Sequence, residues 1–218
     1  MKKIICLVLV ISISIVTIWA TCFYTKTYNG IDISHHNDIC WKCVAEDPYI
    51  KFCYIKATEG KYFVDKKCEI NARNAKQMNL HIGLYHYFRT NVSAEDQFNN
   101  FKKVFNKIDS DLIPVIDVES IGNDFSDIKQ VNKNLSELIS LFYKEYNKYP
   151  IIYFGTKEAY RTFPSTYKCP FWLSCTNYPN RKPNFTMKQY KIGKIGCNVV
   201  DLNYCPNIEK LKFNVNKN

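Results

Sequence analysis

The chain has 218 residues, of which 46 % are hydrophobic and 23 % are charged, and it carries a formal net charge of +10. This ordinary globular composition excludes a disordered or collagen-like chain, and the length suits one large domain such as an α/β barrel. The positive charge favours anionic partners, but the sequence has no long Lys/Arg block and no nucleic-acid motif, so we expect no nucleic-acid partner.

The N-terminus has the form of an export signal. Lys2 and Lys3 precede seventeen uncharged residues, Ile4 to Ala20. A charged start followed by an apolar run is typical of a secretory signal peptide, and this run is almost long enough to span a membrane. We expect residues 1–21 to be a signal peptide or an N-terminal membrane anchor and residues 22–28 to be a short linker. The protein is then exported, secreted or periplasmic, and only this segment would contact a membrane.

Ten cysteines agree with export, because oxidising compartments favour disulfides. Cys169 with Cys175, and Cys197 with Cys205, are each close enough along the chain to close a short loop. The motif CWKC, which begins at Cys40, has the spacing of redox motifs. No second motif of that class surrounds it, so a structural or free-thiol role is favoured over disulfide exchange. Zinc is disfavoured because a second CxxC or an HxxxH is missing.

Short apolar runs along the chain predict eight strands. They are residues 30–34, 52–57, 81–88, 112–119, 151–154, 171–175, 187–192 and 198–203. No linker rich in Gly, Ser or Pro divides them, so we predict one domain over residues 29–213, followed by a C-terminal tail at 214–218.

Helical patterns separate the early strands. After a candidate N-cap at Ser93, apolar residues recur at three- and four-residue steps from Phe98 to Ile108, and the same spacing runs from Ile128 to Tyr146. Further helices are predicted around residues 72–78, over residues 38–48 and after Thr156.

Strands that alternate with helices predict an α/β fold with a parallel sheet, and eight such strands can close into a barrel. The last three strands lie too close together along the chain for helical crossovers. We therefore predict a single modified TIM-like barrel with about five β/α units followed by three β-strands. Reactive groups in such a barrel gather at the C-terminal ends of the strands.

Four acids interrupt apolar strand sequences near these ends. The stretch PVIDVES contains Asp117 and Glu119, which point to the same face because side chains alternate along a strand. Asp32 lies in the first strand and Asp201 in the last, and these strands are neighbours in a closed barrel. Each acid alone is as well explained by a cap or a turn, but together they predict an acidic site.

The motifs GIDISHHN, YIKATEG, GLYHYFRT, PVIDVE, IIYF and VDLN, in this order, resemble glycoside hydrolase family 25, the lysozymes (N-acetylmuramidases) with a modified β/α barrel. The resemblance covers about residues 29–206. It implies catalytic residues at Glu119, Asp117, Asp32 and Asp201 and substrate-binding residues at Tyr62, Tyr85, Tyr153 and Tyr190. The sequence departs from the family at Lys188, where a tryptophan is usual, and around Asn198, where a glycine is usual.

The resemblance makes Glu119 the candidate general acid, which requires a pKa raised enough to hold a proton near neutral pH. Asp117 is then expected to be ionised and to orient the 2-acetamido group of the sugar, whose oxygen attacks the anomeric carbon. A direct nucleophilic role for Asp117 is the alternative. Asp32 and Asp201 are expected to position water, substrate hydroxyls or Glu119.

Other polar residues near the strand ends are expected to support this site. His35 and His86 are expected to make supporting hydrogen bonds, and Lys56 is expected to pair with Glu59 or to line the rim.

The resemblance implies an exported, monomeric enzyme that hydrolyses the β-1,4 bond between N-acetylmuramic acid and N-acetylglucosamine in peptidoglycan glycan strands, with no cofactor. The positive charge would help it bind anionic wall material, with an affinity that falls as salt rises. Two alternatives stay open: a non-catalytic peptidoglycan-binding barrel, and a hydrolase of another hexosaminide such as chitin. A thiol oxidoreductase built on CWKC is a more remote third.

Overall fold

The computed structural model describes residues 28–155, 162–174 and 185–213. Its strands are β1 (Gly30–Ile33), β2 (Phe52–Glu59), β3 (Phe63–Val64), β4 (His81–Tyr87), β5 (Val115–Val118), β6 (Ile151–Phe154), β7 (Phe171–Ser174), β8 (Met187–Ile195) and β9 (Asn198–Tyr204). Its α-helices are α1 (Trp41–Ala45), α2 (Cys68–Gln77), α3 (Ala94–Phe105) and α4 (Ile128–Tyr146), and two short 3-10 helices span Pro164–Lys168 and Ile208–Leu211.

Eight of the strands close into a barrel. The order around it is β1-β9-β8-β7-β6-β5-β4-β2, and pairing of β1 with β2 completes the ring. β9 runs antiparallel to β1 and β8, whereas the other neighbours in the ring are parallel. The predicted modified barrel is therefore confirmed, and its last two strands form a hairpin in place of a helical crossover.

Large side chains fill the lower part of the barrel. At alternate positions, β2 places Phe52 and Tyr54 in the interior, where both are fully buried. The Tyr54 ring lies 5.3 Å from the ring of Trp172 across the barrel. Gly83 on β4 pairs with Tyr54 on β2. A Cβ atom at Gly83 would come within 2.1 Å of the Tyr54 ring. Among the described residues, this packing fills the barrel interior around Phe52, Tyr54 and Gly83.

The two longest helices, α3 and α4, each begin after a polar N-cap residue. Ser93 accepts a hydrogen bond from Asp96 N at 3.1 Å and caps α3, as predicted. Asp127 caps α4 in the same way, by accepting from Gln130 N at 3.0 Å. The apolar stripes of the two helices meet in an aromatic cluster that includes the rings of Phe101 and Phe142, 5.0 Å apart.

Two differences from the predicted elements have simple causes. The strand predicted from residue 112 begins at Val115, because Pro114 has no N–H to give to a ladder. The two-residue β3 is too short for its alternation to be visible in the sequence. The helix predicted after Thr156 lies outside the described residues.

One predicted disulfide is wrong. Cys197 and Cys205 are both free, because they flank β9 at its two ends. An extended strand of this length holds their Cα atoms more than about 20 Å apart, against a limit of roughly 7 Å for a disulfide. The disulfide in the described chain joins Cys40 to Cys43. Cys175 lies outside the described residues, so its pairing with Cys169 stays a prediction.

The N-terminal segment, residues 1–27, lies outside the described residues. None of the helices in the described part of the chain is long and apolar enough to cross a membrane.

Candidate active site

A cavity of about 340 Å³ opens at the C-terminal ends of the parallel strands. Its lining residues are Asp32, Ser34, His36, Lys56, Glu59, Tyr85, Tyr87, Arg89, Val115, Asp117, Glu119, Ile121, Tyr153, Trp172, Gln189 and Asp201. The volume falls in the range of ligand-binding clefts, and most of the lining is polar or aromatic. The cavity occupies the position where α/β barrels carry their reactive groups.

The cavity brings together the four acids that the sequence singles out, here called the acid cluster (Asp32, Asp117, Glu119 and Asp201). On β5, Val115 and Asp117 face the cavity, and Glu119 follows directly after the strand on the same side. The intervening Ile116 is fully buried on the other side. The alternation of this segment therefore carries two carboxylates into one cleft.

The other two acids come from neighbouring antiparallel strands. Asp32 on β1 lies directly opposite Asp201 on β9. Residues in such pairs have Cβ atoms about 4.5–5.5 Å apart, and like charges in this position repel each other. Closure of the barrel therefore places the second pair of acids side by side.

Burial raises the pKa of every member of the acid cluster, and repulsion from neighbouring carboxylates adds to it for Asp32, Asp117 and Asp201. Desolvation raises the pKa of Asp32, and the charges of Asp201 and Glu119 add to it. Desolvation, with the charge of Glu119, raises the pKa of Asp201 to about 6. Partial burial also raises the pKa of Glu119, against the opposing effects of a Tyr153 hydrogen bond and the Lys56 charge. Because such close carboxylates do not all ionise together, the cluster retains protons towards neutral pH.

The surroundings of Asp117 act against the ionised state expected of it, which stays a prediction. Desolvation raises its pKa well above the ordinary value, and the charges of Glu119 and Asp32 raise it further. Its Oδ1 atom is buried and has no hydrogen-bond partner within the described residues. Burial and the neighbouring carboxylates therefore disfavour the charged form of Asp117, and its Oδ1 atom is placed to accept a hydrogen bond.

A buried hydrogen-bond chain holds Asp32 from below. Trp172 Nε1 donates to Asn203 Oδ1 at 3.1 Å, and Asn203 Nδ2 donates to Asp32 Oδ2 at 2.7 Å. Asn203 is fully buried and Trp172 nearly so. The indole thus fixes the amide orientation that presents an N–H to the carboxylate.

A second chain links Asp32 to Glu119 across the cavity. Gln189 donates to Asp32, and its Oε1 accepts from the Tyr153 hydroxyl at 2.7 Å. The same hydroxyl is within hydrogen-bond contact of Glu119. It carries one hydrogen for two acceptors, so it donates to Gln189 when Glu119 is protonated and to Glu119 when that group is ionised.

The part of the cavity wall formed by β2 and by the residues after β4, between β1 and β5 in the ring, contains charges that are paired, here called the paired wall (Lys56, Glu59 and Arg89). Lys56 Nζ lies 2.6 Å from Glu59 Oε2 and 4.8 Å from the centroid of the Tyr87 ring. Arg89 donates to Glu59 Oε1 through Nε at 2.9 Å and through Nη2. Burial acts to raise the pKa of Glu59, but the hydrogen bonds from Lys56 and Arg89 hold it below the ordinary value. The expected pairing of Lys56 with Glu59 is confirmed.

The four predicted substrate-binding tyrosines separate into two pairs. Tyr85 and Tyr153 line the cavity. Tyr62 is 80 % exposed in the turn between β2 and β3, and it is not part of the lining. Tyr190 is not in the lining either. Its neighbour Gln189 lines the cavity, and the pairing of β8 with β9 shifts register between Gln189 and Lys191, so Tyr190 lies at an irregularity of the strand. The substrate-binding roles of the four tyrosines stay predictions.

The two histidines make supporting hydrogen bonds, as expected. His35 contacts Asp65 Oδ2 through its backbone N at 2.8 Å and its Nδ1 at 2.9 Å. His86 is fully buried between Thr58 Oγ1 at 2.7 Å and Gln97 Oε1 at 3.1 Å. Burial lowers the pKa of His86 to about 4, so this ring is neutral at physiological pH.

Several lining residues were not predicted: His36, Tyr87, Arg89, Trp172 and Gln189. Each lies within two residues of a strand end or of a singled-out motif, so the alternation of inward positions was the signal that could have found them. Within the described residues, the ligand-type side chains close enough to share a metal ion are Cys40, Cys43 and Cys197, and they lie outside this cavity. The absence of a cofactor stays a prediction.

Three comparisons connect this geometry with known proteins. The family model for "glycosyl hydrolases family 25" matches residues 31–192. A family 25 glycosyl hydrolase from Bacillus anthracis has a similar structure, with 32 % sequence identity and a TM-score of 0.71 over 86 % of this chain and 93 % of that chain. YegX of Escherichia coli K12, described as uncharacterized, is 33 % identical over 165 residues, and Lysozyme M1 of Streptomyces globisporus is 27 % identical over 191 residues.

The shared region differs in extent between these relatives. The match covers 72 % of this chain and 59 % of YegX, and it covers 79 % of this chain and 65 % of Lysozyme M1. The family match includes Asp32, Asp117 and Glu119, whereas Asp201 lies beyond its end. Because the match spans most of the barrel and its acidic strand ends, the chain belongs to glycosyl hydrolase family 25.

Proposed function

We propose that this chain is a lysozyme that hydrolyses the β-1,4 bond between N-acetylmuramic acid and N-acetylglucosamine in peptidoglycan. The observation that carries the proposal is the convergence of four carboxyl groups with raised pKa values in one open cleft. Glycosidic cleavage needs one carboxyl to protonate the leaving oxygen and another to stabilise the positive charge that develops at the anomeric carbon. Membership of family 25 and the likeness to Lysozyme M1 support this choice of substrate.

Glu119 is the proposed general acid. It lies past the end of β5 at the cavity, and its raised pKa favours the protonated state that an acid catalyst needs. When the proton leaves for the glycosidic oxygen, the Tyr153 hydroxyl can turn from Gln189 to the new carboxylate. The chain from Asp32 to Glu119 thus supplies a donor at the moment the negative charge appears.

Asp117 is the proposed partner of the substrate's 2-acetamido group. Its buried Oδ1 lacks a donor within the described residues, and the acetamido N–H has the polarity needed to supply one. Such a hydrogen bond favours the carboxylate form, and the nearby Lys56 charge acts in the same direction. Substrate binding would then ionise Asp117 and orient the acetamido oxygen for attack on the anomeric carbon.

Asp32 and Asp201 are proposed to position water, substrate hydroxyls and Glu119. Their placement opposite each other on β1 and β9 gives two adjacent carboxyl groups that can share a proton. The raised pKa of both groups allows one to donate a hydrogen bond while the other accepts one. Tyr85 and Tyr153 offer the sugar contacts within the cleft.

The place of action is also a proposal. The charged start and apolar run of residues 1–21 support export, and the net charge of +10 supports binding to anionic wall polymers. We expect the apparent affinity for whole cell walls to fall as salt rises, because exposed charges are screened within about 10 Å at 0.1 M salt.

The test is Glu119→Gln, which keeps the side-chain shape and removes the transferable proton. We expect the rate of cell-wall lysis to fall by about 10²–10⁴-fold with no change in the circular dichroism spectrum, since this is the usual contribution of a general acid. Turbidity loss and new reducing ends on purified peptidoglycan measure the rate.

The matched control is Glu95→Gln, on the exposed side of α3, which should keep full activity. If the wild-type protein releases fragments from chitin oligomers but not from peptidoglycan, the proposed substrate is wrong and the enzyme is a chitin-type hexosaminide hydrolase. Wild-type protein that binds walls without producing reducing ends would leave only a binding function.

A further inference from the structure

Three cysteine sulfurs meet outside the cleft, although they come from distant parts of the chain. Cys40 and Cys43, at the start of α1, form a disulfide. Cys197, in the turn between β8 and β9, places its Sγ 3.7 Å from Cys43 Sγ, and the three sulfurs lie within 4.8 Å of one another. We propose that they form a thiol–disulfide exchange site in which Cys43 alternates between Cys40 and Cys197 as its partner.

Contacts made by Asn198 and Gly196, the two neighbours of Cys197, hold the β8–β9 turn against α1. Asn198 is 2 % exposed, and its Oδ1 accepts from Cys40 N at 2.6 Å while its Nδ2 donates to Cys40 O at 3.3 Å. Gly196 has a φ of +59°, and a Cβ atom there would come within 2.6 Å of Cys43 Cβ. Cys197 is thus set beside the disulfide by its two sequence neighbours.

The exchange step balances without an outside oxidant or reductant. The Cys197 thiolate attacks Cys43 Sγ, the Cys43–Cys197 bond forms, and the Cys40–Cys43 bond breaks. The electron pair of the broken bond leaves on the Cys40 sulfur, which then takes up a proton. The attacking sulfur must come into line with the bond that breaks, and Cys197 is exposed in a turn, where its side chain has room to rotate.

The other free cysteines of the described residues are poor candidates for this chemistry. Cys53, Cys68, Cys169 and Cys205 are all buried, whereas Cys197 is exposed. Burial raises the pKa of the Cys68 and Cys169 thiols to about 12, which disfavours the reactive thiolate. The exposed thiol is therefore the one that lies beside the disulfide.

The two bridges have different consequences for the barrel. The Cys40–Cys43 bridge joins residues three positions apart, whereas a Cys43–Cys197 bridge joins residues 154 positions apart. A cross-link between distant residues restricts the unfolded chain far more than a local one. It would also fasten to α1 the β8–β9 hairpin, which carries Gln189 and Asp201 of the cleft.

The direct test is peptide mapping of the full oxidised chain without reduction, after an acid quench and alkylation of free thiols. We expect both bridges in the wild type, with the alkylated cysteine at 197 in one population and at 40 in the other. Cys197→Ser should retain only the Cys40–Cys43 bridge, and Cys40→Ser only the Cys43–Cys197 bridge. A single bridge in the wild type, whichever it is, overturns the proposal.

A second measurement uses thermal unfolding of the two serine variants. Oxidised Cys40→Ser should melt higher than oxidised Cys197→Ser, by roughly 5–10 °C, and the difference should disappear on reduction. If Cys40→Ser does not fold, Cys40→Ala replaces it and the wild-type map still decides.

The matched control is Ser140→Cys in the Cys197→Ser background, which moves the exposed thiol to α4. We expect it to form no bridge with Cys43. Bridging from residue 140 as complete as that from Cys197 would show that any exposed thiol suffices, and the proposed site would be wrong.

Discussion

Two groups of residues in the cleft, the acid cluster and the paired wall, use carboxyl groups in opposite ways. In the acid cluster, four carboxyl groups face one another, and no ion pair found among the described residues includes any of them. In the paired wall, a single carboxylate lies between a lysine and an arginine. The pKa values of the cluster are raised, whereas that of Glu59 is lowered. The neighbours of a carboxyl group therefore determine whether its protonated or its ionised form is favoured.

This difference separates the carboxyl groups proposed to act in catalysis from a charge-paired carboxylate in the same cavity. The cluster keeps protons available for the substrate but accumulates repulsion whenever they are lost. In the paired wall the one carboxylate lies between two cations, and Arg89 also donates to Ile121 O, in the loop after β5, at 3.0 Å. Lys56 belongs to the paired wall but also acts on the acid cluster, because its charge lowers the pKa of both Asp117 and Glu119.

The largest effect after loss of the general acid should come from Asp117→Asn. If substrate binding ionises Asp117, an amide in its place cannot stabilise the reacting acetamido group, and kcat should fall by about 10²–10³-fold. KM should change much less, because the amide oxygen still accepts the substrate hydrogen bond. Steady-state kinetics on soluble peptidoglycan fragments measures both constants.

Asp109→Asn, at an exposed position outside the cleft, is the matched control for Asp117→Asn. Near-normal kcat in Asp117→Asn would mean that the reaction does not need a charged group at this position. The acid cluster would then contain no ionised participant at this position.

A smaller effect, on pH dependence, should follow from Lys56→Met. Removing the ammonium raises the pKa of Asp117 and of Glu119, so both limbs of the pH–activity profile should move to higher pH. Lys61→Met removes an equal charge from an exposed pair with Asp96 and should leave the profile in place. A profile that moves equally in both variants would show that net charge, and not the position of Lys56, sets the limbs.

Tyr153→Phe should move only one limb. The Tyr153 hydrogen bond lowers the pKa of Glu119, so its loss should shift the alkaline limb upwards and leave the acid limb unchanged. The rate at the optimum should fall by roughly tenfold, as for one hydrogen bond to a charged group. Movement of both limbs would mean that the cluster titrates as one unit and that Glu119 has no separate alkaline limb. Tyr143→Phe, exposed on α4, is the control.

The acid cluster could be predicted from the sequence because its positions follow from local periodicity and barrel closure. Alternation along β5 placed Asp117 and Glu119 together, and the pairing of first and last strands placed Asp32 beside Asp201. Both arguments depend on backbone geometry, which varies little between proteins. The position of these carboxyls could therefore be predicted without any knowledge of their neighbours.

Features that depend on distant side chains could not be predicted in this way. The Cys197–Cys205 pairing failed because closeness in sequence does not imply closeness across an extended strand. Tyr190 lies outside the cavity lining, beside a shift in the β8–β9 register that the sequence pattern does not show, and its substrate-binding role stays a prediction. The ionisation of Asp117 also depends on burial that only the folded barrel produces.

The smallest expected effects are on thermal stability. Neutralising a carboxyl group should raise the melting temperature in the acid cluster and lower it in the paired wall. The pKa of Asp201 is raised to about 6 in the fold, so its favourable contribution is complete below the unfolded-state value near about 4 and is lost as pH rises through about 6. Asp201→Asn keeps an uncharged side chain at every pH. It should therefore melt a few degrees above the wild type at neutral pH and show no such gain near pH 4.

Glu59→Gln provides the opposing case. The pKa of Glu59 is lowered, so its contribution is present above the unfolded-state pKa and disappears as pH falls through the folded-state value. This variant should melt below the wild type at neutral pH, and the gap should close in acid. Calorimetry of both variants across this pH range compares the two groups directly. If Asp201→Asn and Glu59→Gln both lower, or both raise, the melting temperature at neutral pH, the contrast between the acid cluster and the paired wall is wrong. The two variants would then act on stability through something other than the ionisation of these groups.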